Sequence, residues 1–323
     1  MFSRWRKKIK MPERSEKEKK SKFFTVLKVI IWLIVASFFL SILVSFFTGD
    51  DSESLNGNVA MIDISGPIIT GKDTSYLFED VTSSDDVTKL VRKANENDNI
   101  KAIVFVINSP GGSAVASDEI AAEIKKVNKT TVAWVREIGT SGAYWIASST
   151  NHVIANRMSI TGSIGVIASY LEFAGFIQEH NVTYERLVSG KYKDLGSPFK
   201  ELTAEERAVF QKSLDRIHNY FVDEVAKNRK LNKKDVDKMA TGAFYLGDEA
   251  KDLGLVDELG SRDEVISYLE KKLGQKVEFV KYKKPTGFFA ALSQAMDEKS
   301  FFVGKGIGST LFAQTEKPVT IST

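Results

Sequence analysis

The sequence predicts an α/β fold with mostly parallel strand pairing, set behind one N-terminal transmembrane helix. Three observations predict it. From Val59 onward, short apolar, β-branched runs ending in turn residues alternate with stretches of helical period, and strands joined by helices need crossover connections, the geometry of a parallel sheet. Ahead of them, Val29 to Phe47, VIIWLIVASFFLSILVSFF, is uncharged over nineteen residues, just long enough as a helix rising ~1.5 Å per residue to span a hydrocarbon core of ~30 Å. Finally, 323 residues, 43% of them hydrophobic, give room for a sizeable core in one large domain or two smaller ones.

Taken in order, residues 1–28 form a basic tail. Residues 1–22 hold ten Lys/Arg against three Glu, a net +7 in a chain whose total is +3; with Lys28 removed as well, the remainder is −5. A basic tail on an acidic body would suit nucleic acid. Directly before an apolar span it reads instead as a topology signal that touches anionic lipid headgroups, placing the N-terminus in the cytoplasm and everything after about Gly49 outside, with no nucleic-acid partner. A cleaved signal peptide carries only about 7–15 apolar residues and a small-x-small site, and none is evident before TGDDSES. The polar stretch 48–58, TGDDSESLNGN, is read as a linker.

Residues 59–284 form the folded domain. VAMIDISG and KAIVFVINSPGG are strands with a helix between them at Asp85–Asn95. Ala114–Val127 is a helix, TVAWV at 131–135 a strand, and AYWIASS the next helix. Strand patterns follow in NHVIA (151–155), SIGVIAS (163–169) and VTYERLV (182–188). Thr203 to about Arg229 is a long amphipathic helix in which Thr203 and Glu206 fit a capping box, and Ser261–Lys272 is a helix with Gly274 near its C-cap. Residues 285–323 mix isolated aromatics with glycines and predict a flexible tail, with one short amphipathic helix near Phe288–Met296.

With no cysteine in the chain, disulfides, thiolate metal sites and cysteine nucleophiles are excluded. The three histidines, His152, His180 and His218, are scattered and match no ligand spacing, so neither a metal nor another cofactor is expected. Two places could carry chemistry. NSPGGS, Asn108–Ser113, closes a strand and opens a helix; its glycines could turn N–H donors toward a developing negative charge, or simply make a tight turn. In GTSGAYWIA, Ser141 stands at the entrance of a helix, either as an N-cap or as a nucleophile with the Gly142 N–H beside it. A reacting serine needs a base. SGKYKDLGSP supplies Lys191 and Lys193, and either would have to be desolvated, because an ordinary lysine with a pKa of ~10.4 is protonated at neutral pH.

The order NSPGGS, TSGAYWIA, TGSIGV, SGKYKD and YLGDEAKDLGLVDELG resembles the signal peptide peptidases of the SppA type, the S49 family of serine proteases, in their short bacterial form. The resemblance covers about Val59 to Tyr282. It implies a Clp-protease/crotonase-like fold of repeated β-β-α units and a Ser–Lys dyad, with Ser141 as nucleophile and Lys193, which follows Tyr192, as general base. Lys191 remains the alternative. It further implies that Ser163 orients the lysine amine and that the N–H groups of Gly112 and Gly142 form the oxyanion hole, with Gly111 the alternative to Gly112. One departure is Gly142-Ala143, where the family often has Gly-Gly. The implied activity is an endopeptidase at the bacterial cell membrane that degrades remnant signal peptides, with apolar peptides as substrates, the lipid bilayer as a partner and a ring-like homo-oligomer that completes its dyad between neighbours. The competing readings are a catalytically idle membrane assembly module and a crotonase-type acyl-CoA enzyme.

Overall fold

The structure, a computed structural model, describes residues 16–47, 57–71 and 81–283. The chain divides into two compact units, Met1–Leu55 and Asn56–Thr323. In the first, α1 (Glu16–Phe47) is one continuous helix of 32 residues that contains the expected transmembrane segment. Ile31, Trp32, Leu33 and Ile34 are all exposed; four successive residues, about 100° apart, leave no polar side to the helix. Among the described residues no helix is long and apolar enough to cross a membrane, and the expected span runs to Phe47, past the residues whose side chains are described. The first half of the basic tail, most of the linker, and the C-terminal tail with its short helix lie outside the described residues.

In the second unit the elements run β1 (Val59–Ser65), β2 (Ile68–Ile69), β3 (Thr82–Ser83), α2 (Ser84–Glu96), β4 (Ala102–Ser109), α3 (Ala114–Ile124), β5 (Thr130–Thr140), α4 (Gly142–Ser148), β6 (His152–Ala155) and β7 (Ile160–Gly162). They continue with α5 (Ala174–Glu179), α6 (Ala204–Arg229), α7 (Lys233–Met239), β8 (Phe244–Leu246), α8 (Gly247–Asp252), β9 (Glu258–Leu259), α9 (Arg262–Leu273) and β10 (Phe279–Lys281). The main sheet has the order β10-β1-β4-β5-β6-β9, parallel at every one of these pairings. The sheet is parallel because its strands are buried on both faces and joined by helices. In β4, Ile103, Phe105 and Ile107 face a core shared with Val87, Val91, Ile120, Tyr144 and Phe221 of the helices, while Val104 and Val106 face a second core with Val265 and Leu269 of α9. That alternation is the period of two that a pleated strand imposes.

β5 is where the fold builds its site. Val132–Val135 pair with β6, whereas Ile138–Thr140 pair with β7, which is in turn antiparallel to β8. Between the two halves the register against β4 shifts: Ile107 faces Val135, but Ser109 faces Gly139. Such a bulge bends a strand and re-aims its end. Asn108 Oδ1 accepts from the Ile138 N–H at 3.2 Å, satisfying a donor that the shifted ladder leaves over. The redirected end of β5 leads straight into Ser141.

The capping box of α6 is present, with Thr203 Oγ1 accepting from the Glu206 N–H at 3.2 Å and Glu206 Oε2 accepting from the Thr203 N–H at 3.1 Å. At the start of α9 only one half of such a box forms, Glu264 Oε2 accepting from the Ser261 N–H and hydroxyl at 2.6 and 2.9 Å, and the helix ends at Gly274 in the left-handed conformation. Two expected strands are not formed. Residues 163–169 and 182–188 are irregular, and apart from the half-buried Ala174 and Ile177 the segment from Ile167 to Lys193 is exposed throughout. The apolar alternation is real, but beyond the backbone bonds between Ser163 and Ala243 and between Ile164 and Gly242 no strand of the described chain lies alongside either segment, and a strand without a ladder is not one.

Candidate active site

Ser141 stands between β5 and α4 with φ 53° and ψ −126°. These are the angles of the first central residue of a type II′ turn, where glycine is the usual occupant. A serine there carries backbone strain on the order of 1–3 kcal/mol. It holds the N-cap position of α4 without capping it: the side chain makes no cap hydrogen bond. The residue is half-buried, and its backbone is fixed by its N–H to the Gly162 carbonyl at 2.9 Å and by its own carbonyl, which accepts from Trp145 N–H at 3.0 Å. α4 behind it is wholly buried. Trp145 stacks on Phe221 at 4.8 Å and the Tyr144 hydroxyl donates to the Leu255 carbonyl at 2.9 Å, with burial pushing the Tyr144 phenol far above its ordinary range.

The NSPGGS loop packs directly against this turn. A Cβ built on Gly111 would lie 2.7 Å from Gly142 N and 2.9 Å from Ser141 Cβ, and one on Gly112 only 2.2 Å from the Ile68 carbonyl oxygen. Both positions therefore require glycine. The two differ in their donors. Gly111 N–H is already donated to Ser109 Oγ at 3.1 Å, and Ser109 in turn donates to the Gly66 carbonyl at 2.6 Å. Gly112 N–H has no acceptor among the described residues, and Gly142 N–H, at the first position of α4, has no partner within its helix. A Cβ on Gly142 would sit 3.4 Å from Gly112 N and 2.2 Å from Ser117 Oγ. Two N–H groups without an acceptor among the described residues thus lie close together at the Ser141 turn.

Ser163, also at positive φ (49°), donates to the Gly242 carbonyl at 3.0 Å. It shares with Ser141 a cavity of about 500 Å³ whose walls include Val166, Ile167, Leu214 and, on one side of α6, Gln211, Asp215 and His218. A groove of about 480 Å³ on the surface of α6 is lined by that helix alone and holds none of the candidate groups. His218 is a cavity residue that the sequence did not single out. Its Nε2 donates to the Ala240 carbonyl at 2.9 Å; its place on α6, so far along the chain from Ser141, is set by tertiary packing alone.

The lysines are not brought to Ser141. Both are exposed, and neither lines the cavity. They differ in their partners. Lys191 Nζ is ion-paired with Glu205 Oε1 at 2.6 Å, which raises its pKa, and Tyr192 donates its hydroxyl to the same carboxylate. Lys193 has no side-chain hydrogen bond or ion pair among the described residues; its N–H donates to Gly190 at 3.1 Å. Among the described residues no His/Cys/Asp/Glu cluster could hold a metal ion.

The sequence profile of Peptidase family S49 matches residues 123–276. A protein of Enterococcus faecium named "Putative signal peptide peptidase SppA" is 32% identical over 242 residues, covering 73% of this chain and 70% of the relative. The chain belongs to peptidase family S49. Protease 4 of Haemophilus influenzae is 32% identical over 221 residues, 68% of this chain and 35% of that longer protein. Among solved structures, a serine-to-alanine mutant of a membrane-bound stomatin-specific protease aligns with a TM-score of 0.45 at 16% identity, over 72% of this chain and all of that one. Within this S49 peptidase the matched region takes in α4, Ser141, Ser163 and Lys193, and it begins after the glycine loop.

Proposed function

We propose that this S49 peptidase is a membrane-anchored serine endopeptidase with a Ser141–Lys193 dyad on a Clp-protease/crotonase-like fold, acting on apolar peptides such as remnant signal peptides. The observation that carries the reading is the strained strand-to-helix turn at Ser141, whose hydroxyl makes no cap hydrogen bond and where the Gly112 and Gly142 N–H groups have no acceptor among the described residues. Ser141 Oγ attacks the scissile carbonyl as the Lys193 amine takes its proton. The resulting oxyanion is held by Gly112 and Gly142 at the positive end of α4. The lysine ammonium then protonates the leaving amine, and water, deprotonated by the same lysine, releases the acyl group. Ser163 orients the amine from across the cavity. The apolar walls at Val166, Ile167 and Leu214 suit apolar side chains of a substrate.

Because Lys193 is exposed and remote from its own Ser141, the dyad is completed by a second copy of the chain, whose docking also supplies the burial a lysine base requires. Ile167, Leu171, Phe176 and Leu187 are exposed on the segment that carries it, as expected of a surface covered by another copy. Anchoring by α1 is supported by its all-round apolar exposure and the basic residues before it; the peptidase unit then lies outside the cytoplasm, where acyl-CoA substrates are absent.

The test is to treat the full-length chain with a serine-directed phosphonate, locate the adduct by mass spectrometry, and assay single variants on an apolar peptide. Ser141→Ala and Lys193→Ala are each expected to lose activity with native circular dichroism, and Lys191→Ala to retain at least part of it. The presence of His218 in the cavity favours one competing base. A histidine base would make kcat/KM rise with pH near ~6.5 and a lysine base well above it; a rise near 6.5 that disappears in His218→Gln and survives in Lys193→Ala would replace the lysine.

A further inference from the structure

We propose that the ion-pair chain Arg186–Asp194–Lys200–Glu206 is a clamp that positions Lys193 for its reaction, Asp194 being its central positioning residue. The inference rests on the reading of Lys193 as the general base. Asp194 is the next residue after Lys193. Its carboxylate takes both prongs of Arg186, Nε to Oδ2 at 2.5 Å and Nη2 to Oδ1 at 2.9 Å, and Lys200 Nζ lies 3.6 Å from Oδ2. Lys200 is also hydrogen-bonded to Glu206 Oε1. Glu206 is buried and is fixed to the start of α6 through its other oxygen by the Thr203 N–H and hydroxyl.

The chain of charges therefore runs from the exposed loop down to a rigid helix end. Its inner members are well shielded: the side chains of Asp194, Lys200 and Glu206 are 10%, 19% and 6% exposed, so the pairing is not that of freely solvated surface ions. The Arg186 hydrogen bonds hold the Asp194 carboxyl down to about 2. A fork-to-carboxylate pair fixes direction as well as distance.

The other flank is pinned too. Lys191 and Tyr192 both reach Glu205, the second residue of α6. The backbone of Lys193 is thus gripped from both sides, while its side chain has no hydrogen-bond or ion-pair partner among the described residues. The loop has no sheet ladder to hold it, since residues 181–203 form no strand or helix; these ion pairs stand where a ladder would. A base held on such a loop depends on them for its angle of approach, and a misplacement of ~1 Å is enough to cost on the order of a hundredfold in rate.

The test measures kcat, KM and the pH dependence of kcat/KM for Asp194→Asn and Arg186→Lys in the full-length chain, with Lys193→Ala as reference and fold and assembly checked by circular dichroism and sedimentation. Arg186→Lys keeps the charge and loses the fork, and is read alone if Asp194→Asn does not fold. Expected is a fall in kcat of about tenfold to a hundredfold with KM within about twofold, a displaced pH midpoint, and partial recovery in the exchanged pair Arg186→Asp with Asp194→Arg. Folded variants with wild-type kcat and pH midpoint, beside an inactive Lys193→Ala, overturn the clamp while leaving the dyad standing. An active Lys193→Ala overturns both.

Discussion

At Ser141 the local chemistry runs against the usual rules of helix entry. A serine at an N-cap normally turns its oxygen back to an orphan N–H and adds about 1 kcal/mol; here that bond is absent and the backbone sits at φ 53°. Both departures leave the hydroxyl free at a cost in stability. Replacing the serine by alanine removes the hydroxyl and keeps the strain, whereas glycine removes both. Ser141→Gly is therefore expected to exceed Ser141→Ala by about 1 kcal/mol in urea unfolding, the reverse of their order inside a helix, with both variants inactive. Equal midpoints for the two would mean the turn is unstrained. The sequence made Ser141 a candidate, since TSGAY places a serine at a strand-helix junction. It named Gly112 with Gly111 as the alternative, and what separates them in the structure is the Ser109 hydroxyl that occupies the Gly111 N–H, a contact set by a side chain two residues away turning back on its own loop.

At the level of elements, legibility followed the source of the ordering. α6 announces itself because its capping box is local, four residues long and written in TAEE, and α9 because the glycine that stops it, Gly274, directly follows its last turn. The strand patterns at 163–169 and 182–188 failed because a strand depends on a neighbour that local sequence does not name. A third case, invisible in sequence, is the tie between the end of α6 and the loop before β9. Arg229, its side chain 6% exposed, donates to both oxygens of Asp257 at 2.8 and 2.6 Å, and Asp257 also accepts from Val153 N–H of β6 at 2.7 Å. Partial burial pushes the Asp257 carboxyl up, but the Arg229 hydrogen bonds and charge prevail and its pKa lies below the ordinary value. Asp257→Asn leaves a buried guanidinium unpaired and is expected to cost about 2 kcal/mol, less than the ~3–5 of a fully buried pair because the carboxylate is partly exposed. A group with a depressed folded pKa stabilises above its unfolded value of ~3.9 and loses that contribution as pH falls through the folded one. The gap in melting temperature between wild type and Asp257→Asn should therefore be full at pH 7 and shrink below about pH 4; a gap that stays constant to pH 3 would show that the ion pair is not its cause.

On the scale of the whole molecule, Ser141 and the Gly112 and Gly142 N–H groups lie in one place and Lys193, without a side-chain partner among the described residues, in another; the proposed dyad needs both. The segment from Ile167 to Lys193 is exposed although it carries Leu171, Phe176 and Leu187, apolar surface that a lone copy leaves in water at ~25 cal/mol per Å². A second copy covering that segment would bury it and bring Lys193 to a foreign Ser141. The consequence is testable by mixing two dead proteins. Ser141→Ala supplies lysines and Lys193→Ala supplies serines; where a chain of one kind meets a chain of the other in the right orientation, a complete dyad forms. In a closed ring of head-to-tail contacts assembled at random from equal amounts, about one site in four is complete. Full-length variants purified separately, mixed after reversible dissociation and reassembled, should recover about 25% of wild-type kcat per chain, and the recovered activity should track the fraction of each variant as its product. A dyad formed within one chain predicts no recovery at any ratio, because every chain in the mixture lacks one of its two groups.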